Sequence, residues 1–187
     1  MTQRSILVVA AIALGASAAC QGANGALPGP PPPPPGDAGE PFLAFASTFQ
    51  GFRQWTSFHS DGPAVGSYPP DVLGPRTQYI NQRPPPGSKT FPVGTLIVEA
   101  RESGERKIFA AAKRGGGFNA RGATDWEWFE LHEAPDGDVS LVWRGLGPPA
   151  GQTYGHGGAS TCNECHANCP VNDSICSPML KLTELQR

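Results

Sequence analysis

Proline and glycine dominate what this chain can become. Among 187 residues there are 24 glycines and 21 prolines. Past residue 60 they cut the sequence into runs too short for long helices. Gly62, Pro63, Pro69, Pro70 and Pro75 open the series, followed by Pro84-Pro85-Pro86-Gly87, Ser103-Gly104 and Pro135-Asp136-Gly137. Between these breaks lie "TQYINQ" (77–82), "TLIVEAR" (95–101), "RKIFAAAK" (106–113), "DWEWFEL" (125–131) and "VSLVWR" (139–144). Such runs predict about five strands with hairpin-length connections, hence an antiparallel sheet in a mainly β (α+β) domain. Ahead of them Phe42, Phe45, Phe49, Phe52 and Trp55 recur at three- and four-residue spacings. That stripe predicts one short amphipathic helix packed on the sheet.

The N-terminus reads as a secretory signal over residues 1–19: an arginine, an apolar run too short to span a membrane comfortably, then small residues. Two processing routes stay open, cleavage within Ala16-Ser17-Ala18-Ala19 or lipidation of Cys20. The pattern favours the second, although Ser17 stands where a lipoprotein signal usually has leucine. Residues 20–40 form a glycine- and proline-rich linker whose run Pro30 to Pro35 favours polyproline II, a stiff spacer of ~19 Å. Such a spacer would hold a domain at 41–187 off a membrane surface, as a periplasmic or outer-membrane lipoprotein. The formal net charge of −2, with no basic block, gives nucleic acid no footprint.

Four of the five cysteines crowd into "TCNECHANCPVNDSIC" (161–176). Cys162-Asn163-Glu164-Cys165-His166 is the C-x-x-C-H pattern of covalent haem attachment. Two thiols at this spacing reach the two vinyl groups on one porphyrin edge, and the adjoining imidazole turns under the ring to bind iron. Two other chemistries compete: a zinc site from Cys162, Cys165, His166 and Cys169, and a redox disulfide between Cys162 and Cys165. Zinc lacks a second knuckle and the disulfide lacks a thioredoxin-like parallel unit, so one haem c is the expected cofactor. With Cys20 lipidated and two cysteines on haem, Cys169 and Cys176 remain as one disulfide pair.

Only residues 167–187 follow His166, too few to enclose a porphyrin, so the sheet and aromatic stripe must supply the pocket. Phe91, Trp126, Trp128 and Phe129 are wall candidates that also suit an ordinary core. The very short tether disfavours Met179 as a sixth ligand, and His59, His132 and His156 suit surface or loop positions. The expectation is an open distal position for a small-molecule ligand.

The order "GFRQWTSF", "GPRTQYIN", "FPVGTLIVEA", "DWEWFEL", "VWRG" and "CNECHANCPVND" resembles the cytochrome P-460 family, from about residue 42 to the end. The resemblance implies a mostly antiparallel β fold, often a homodimer, shared with cytochrome c′-beta proteins. It also implies five-coordinate haem with His166 proximal, and oxidation of hydroxylamine or handling of nitric oxide with a redox partner protein. Enzymatic members carry a haem-cross-linking lysine where this chain has Glu99; Lys107 and Lys113 lie on the neighbouring strand. Strand alternation puts Glu99 with Thr95 and Ile97, opposite Leu96, Val98 and Ala100. Among apolar neighbours near an open iron, Glu99 could take or give a proton. Without the cross-link, the alternatives to hydroxylamine oxidation are a non-catalytic nitric-oxide-binding module and an electron carrier.

Overall fold

The computed structural model describes residues 40–61, 74–102, 106–152 and 161–187. The signal, Cys20, the proline spacer and His156 lie outside the described residues. Six strands form one antiparallel sheet: β1 Thr56–Ser60, β2 Arg76–Ile80, β3 Leu96–Arg101, β4 Ile108–Lys113, β5 Trp126–Glu133 and β6 Val139–Gly145. Their spatial order is their chain order, an up-and-down meander in which every neighbour is antiparallel. The turn signals therefore mark real strand boundaries, and the sheet has one strand more than expected.

The extra strand is β1, which begins at Thr56, directly after the aromatic stripe, where no strand was expected. That helix does not form. Gly51, at φ +68°, divides the segment into two single 3-10 turns, Ala46–Phe49 and Phe52–Gln54. Phe49 and Phe52 are fully buried, whereas Phe45 is 56 % exposed and contributes little to the stripe. "TSFHS" then pairs residue by residue with β2, from Thr56 opposite Ile80 to Ser60 opposite Arg76.

Both faces of the sheet are covered. On the first, Leu96, Val98, Ala110, Phe129 and Leu131 pack against Phe49 and Phe52, with Phe49 and Phe129 edge to face at 5.2 Å. Gln50 guards the free edge of β6. Its carboxamide donates to the Val139 carbonyl at 2.9 Å and accepts from the Val139 amide at 3.0 Å, as a paired strand would. On the second face, Ile80, Ile97, Trp126, Trp128 and Trp143 meet the C-terminal segment through Ile175, Leu180, Leu182 and Leu185. Phe129 therefore belongs to the face away from Cys162, and is no wall of that site.

A bulge in β6 lets one strand serve both faces. Glu130 pairs with Trp143 and Leu131 with Leu141, leaving Val142 between them without a partner and 54 % exposed. Without the extra residue Leu141 and Trp143 would share a face. With it, Leu141 packs on the first cluster and Trp143 enters the second.

Candidate functional site

The C-x-x-C-H motif forms its own short helix, α1, Cys162–His166, whose i, i+3 spacing brings both thiols to one side. The two intervening residues, which carry no ligand role, hold the helix in place. Glu164 closes a capping box: its amide donates to Thr161 Oγ1 at 3.2 Å, and its carboxylate accepts from the Thr161 amide at 2.8 Å. Asn163 docks the helix on the β4–β5 loop, where its Oδ1 accepts from the Ala123 amide at 2.8 Å and from Asn119 Nδ2. A side chain at Gly122 would collide with the Asn163 carboxamide, and one at Gly147 would come within 2.9 Å of Thr161. Glycine at these two places permits the close approach.

Cys162 and Cys165 are unpaired, while Cys169 and Cys176 form the expected disulfide. That bond takes Cys169 away from the four-ligand zinc set. Among the described residues no group of three or more His, Cys, Asp or Glu side chains is placed to hold a metal ion. The surroundings of the thiols give the thiol-redox reading no support. Burial, with the nearby Cys165 and Glu130 adding and a backbone hydrogen bond opposing, pushes the Cys162 thiol up to about 11; burial raises Cys165 as well. A redox dithiol needs a lowered value. Replacing Cys169 and Cys176 with alanine is expected to cost about 2.5 kcal/mol in the chain-entropy account of so short a loop. Urea denaturation of the double variant checks this, and an unchanged midpoint would refute it.

His166 is held from both sides. Its ring lies against Trp128, centroids 4.0 Å apart, and Nδ1–H donates to the Ser174 carbonyl at 2.8 Å. An oxygen acceptor fixes the proton on Nδ1 and leaves Nε2 with its lone pair. Burial pushes the imidazole down to about 4 against the opposing effect of that hydrogen bond, so the ring is neutral, the form that binds metals. The Ser174 turn is itself tied to the sheet. Asp173 accepts from Lys113 Nζ at 2.7 Å and from the Phe91 amide at 2.8 Å, and its carbonyl accepts from Trp126 Nε1 at 2.7 Å.

A haem c asks a chain for two free thiols one helical turn apart, a neutral adjoining imidazole with one nitrogen available, and an apolar surface. Cys162, Cys165 and His166 fit the first two of these demands, and Trp128, buried against the imidazole, gives that side an apolar wall. Trp128 adds an independent observation: its indole N–H is buried and has no acceptor among the described residues.

Glu99 lies on this same second face, in the cross-strand row Gln78, Glu99, Phe109, Glu130, Trp143. Its neighbours are not apolar, as single-strand alternation suggested. Gln78 Nε2 donates to it at 2.8 Å, Arg76 stands at 3.5 Å and Arg101 at 4.0 Å. Ser177 Oγ donates to Gln78 Oε1, linking this row to the tail just past the disulfide. Lys113, a possible substitute for the cross-linking lysine, is engaged with Asp173 and the Thr124 carbonyl. Lys107 lies just outside β4, where its carbonyl accepts from the Arg101 amide. His59 is exposed at the sheet edge beside Thr77 and Asp61, His132 is exposed, and Met179 is half-buried in the tail. Asn172, Asp173 and Gln78 are the site residues to which the sequence assigned no role, and Trp128, a wall candidate, is the one that meets the imidazole. The polar pair Asn172-Asp173, inside the loop that the disulfide closes, was the one available signal. Asn172 organises the tail by donating to the Ile175 and Leu180 carbonyls and accepting from the Leu182 amide.

No family model, curated protein or solved structure matches this chain.

Proposed function

We propose that this chain is an exported mono-haem c-type cytochrome resembling cytochrome P-460, whose iron binds small nitrogen species such as nitric oxide or hydroxylamine. One observation carries the reading: two unpaired thiols a turn apart adjoin a neutral imidazole whose Nδ1 is engaged and whose Nε2 is free. When bound, haem supplies an iron with redox and ligand-binding capacity. Cys162 and Cys165 are the residues whose thiols would tether it, and His166 Nε2 would be the nitrogen offered to its iron. Trp126 and Trp128 shield that side from water.

Glu99 favours a ligand-binding module over a lysine-cross-linked hydroxylamine oxidase. The position that would bear the lysine is a carboxylate engaged by Gln78 and flanked by Arg76 and Arg101. A proton-handling role for Glu99 then belongs to the catalytic reading, with a redox partner protein supplying or taking electrons.

The test is to produce the full chain with a periplasmic haem-attachment apparatus, denature it and stain for retained haem. Wild type should keep haem through denaturation, Cys162→Ala/Cys165→Ala should lose it, and His166→Ala should keep the tether with an altered spectrum. Wild type without retained haem would end this reading. Spectra of the loaded protein with nitric oxide and with hydroxylamine then separate the functions. Ligand binding without turnover supports the module, a red-shifted band with hydroxylamine oxidation supports the enzyme, and a low-spin six-coordinate spectrum supports an electron carrier.

A further inference from the structure

His166 can serve as a ligand only while its ring keeps one orientation and one tautomer, and the Ser174 carbonyl fixes both. That carbonyl sits in a turn which backbone preference does not favour. Asp173 and Ser174 both have positive φ, 51° and 64°, and neither is glycine. The backbone groups of both residues and the Asp173 carboxylate are engaged. The Asp173 amide donates to the Pro170 carbonyl at 3.3 Å and the Ser174 amide to the Cys169 carbonyl at 2.9 Å. The Asp173 carboxylate is shared between Lys113 and the Phe91 amide, and its carbonyl is held by Trp126.

Lys113 and Asp173 have side chains only 5 % and 10 % exposed. A buried ion pair is a poor device for stability alone, because apolar residues of similar size usually serve as well. What it provides here is a fixed point. Lys113 projects from β4, the middle of the sheet, and reaches the residue next to the carbonyl that sets His166.

We infer that the Lys113–Asp173 ion pair is a positioning device for His166, holding the Ser174 carbonyl so that Nδ1 carries the proton and Nε2 faces outward as donor. Neither residue touches the ligand; both act through the turn. The consequence for iron rests on the haem reading, whereas the tautomer itself can be measured without haem.

The experiment is nitrogen-15 NMR of the haem-free full chain, reading which ring nitrogen of His166 is protonated. Wild type should show Nδ1–H with unprotonated Nε2. In Lys113→Met and Asp173→Ala the Nε2–H form should rise about tenfold, the scale on which partners behind a ligand act. Asp173→Asn keeps the volume and tolerates the same backbone, so it carries the test where alanine unfolds the chain; its shift should be smaller and in the same direction. In the haem-loaded protein these substitutions should raise the reduction potential, because an imidazole that loses its Nδ1 acceptor is a weaker donor. Folded variants that are less stable but keep the wild-type tautomer would overturn the inference, since a purely structural pair would behave so. A wild type with Nε2–H would overturn it too. A protein that retains no haem yet shows the tautomer shift would defeat the haem reading while leaving this one intact.

Discussion

Trp126→Ala is expected to lower unfolding stability by about 3–5 kcal/mol, the range for deleting a large aromatic from a packed core. Trp126 is fully buried, meets Phe91 edge to face at 5.6 Å and stacks near Trp128 at 6.3 Å. It does more than fill space. Its indole N–H is the donor to the Asp173 carbonyl, and the Lys113 ammonium lies 5.2 Å from its ring. Trp126→Phe separates the two roles: most apolar surface stays, the donor goes, and the expected cost falls to about 1–3 kcal/mol for an unsatisfied buried carbonyl. Urea unfolding of both variants measures the difference. A loss below about 1 kcal/mol for the alanine variant would mean that the tail does not depend on this anchor.

Arg144→Met should cost a similar amount, about 3–5 kcal/mol, by stranding Glu127. The Glu127 side chain is 5 % exposed on the first face, and Arg144 grips it with two parallel bonds of 2.8 Å. Only Arg114 would remain, at 3.5 Å, too distant to replace that fork. The Arg144 guanidinium also donates to the Ala44 carbonyl at 2.9 Å and lies 5.3 Å from the Phe129 ring, so the N-terminal segment loses its tie as well. The Glu127 hydrogen bonds raise the Arg144 value above normal, ahead of the burial that opposes them. The double variant Glu127→Leu/Arg144→Met removes both charges and should recover at least half of the loss. Chevron or equilibrium unfolding would decide it: a double variant no more stable than Arg144→Met alone would show that the cost was lost packing, not a stranded charge.

What could be read from the sequence follows from how local each signal is. Five strands were legible because their ends are written in proline and glycine, and the sixth was not. β1 is defined by its pairing with β2, and it directly follows an aromatic spacing that suits a helix but that Gly51 breaks into two turns. The face of Glu99 was legible from alternation within β3, but its neighbours were not, since Arg76 and Gln78 come from β2 and depend on register. The bulge at Val142 is equally invisible, because alternation carries no mark of an inserted residue. At the site, Cys162, Cys165 and His166 announce themselves, and the pairing of Cys169 with Cys176 stands as thiol parity suggested. Trp128, Lys113 and Asp173 needed the fold, as they meet only when the tail returns to a strand 60 residues upstream.

The nearest-neighbour order of the sheet has a bearing on how the molecule is assembled. Each strand pairs with the one just before it, so the sheet can grow hairpin by hairpin with short loop closures. Two longer closures remain: the N-terminal segment reaching β6 through Gln50 and Ala44, and the tail reaching Phe91, Lys113 and Trp126 through Asp173. They act as straps on opposite sides of one plank. The cysteine-bearing strap follows in the chain every strand it lies against, so its thiols meet a surface that earlier sequence has already written.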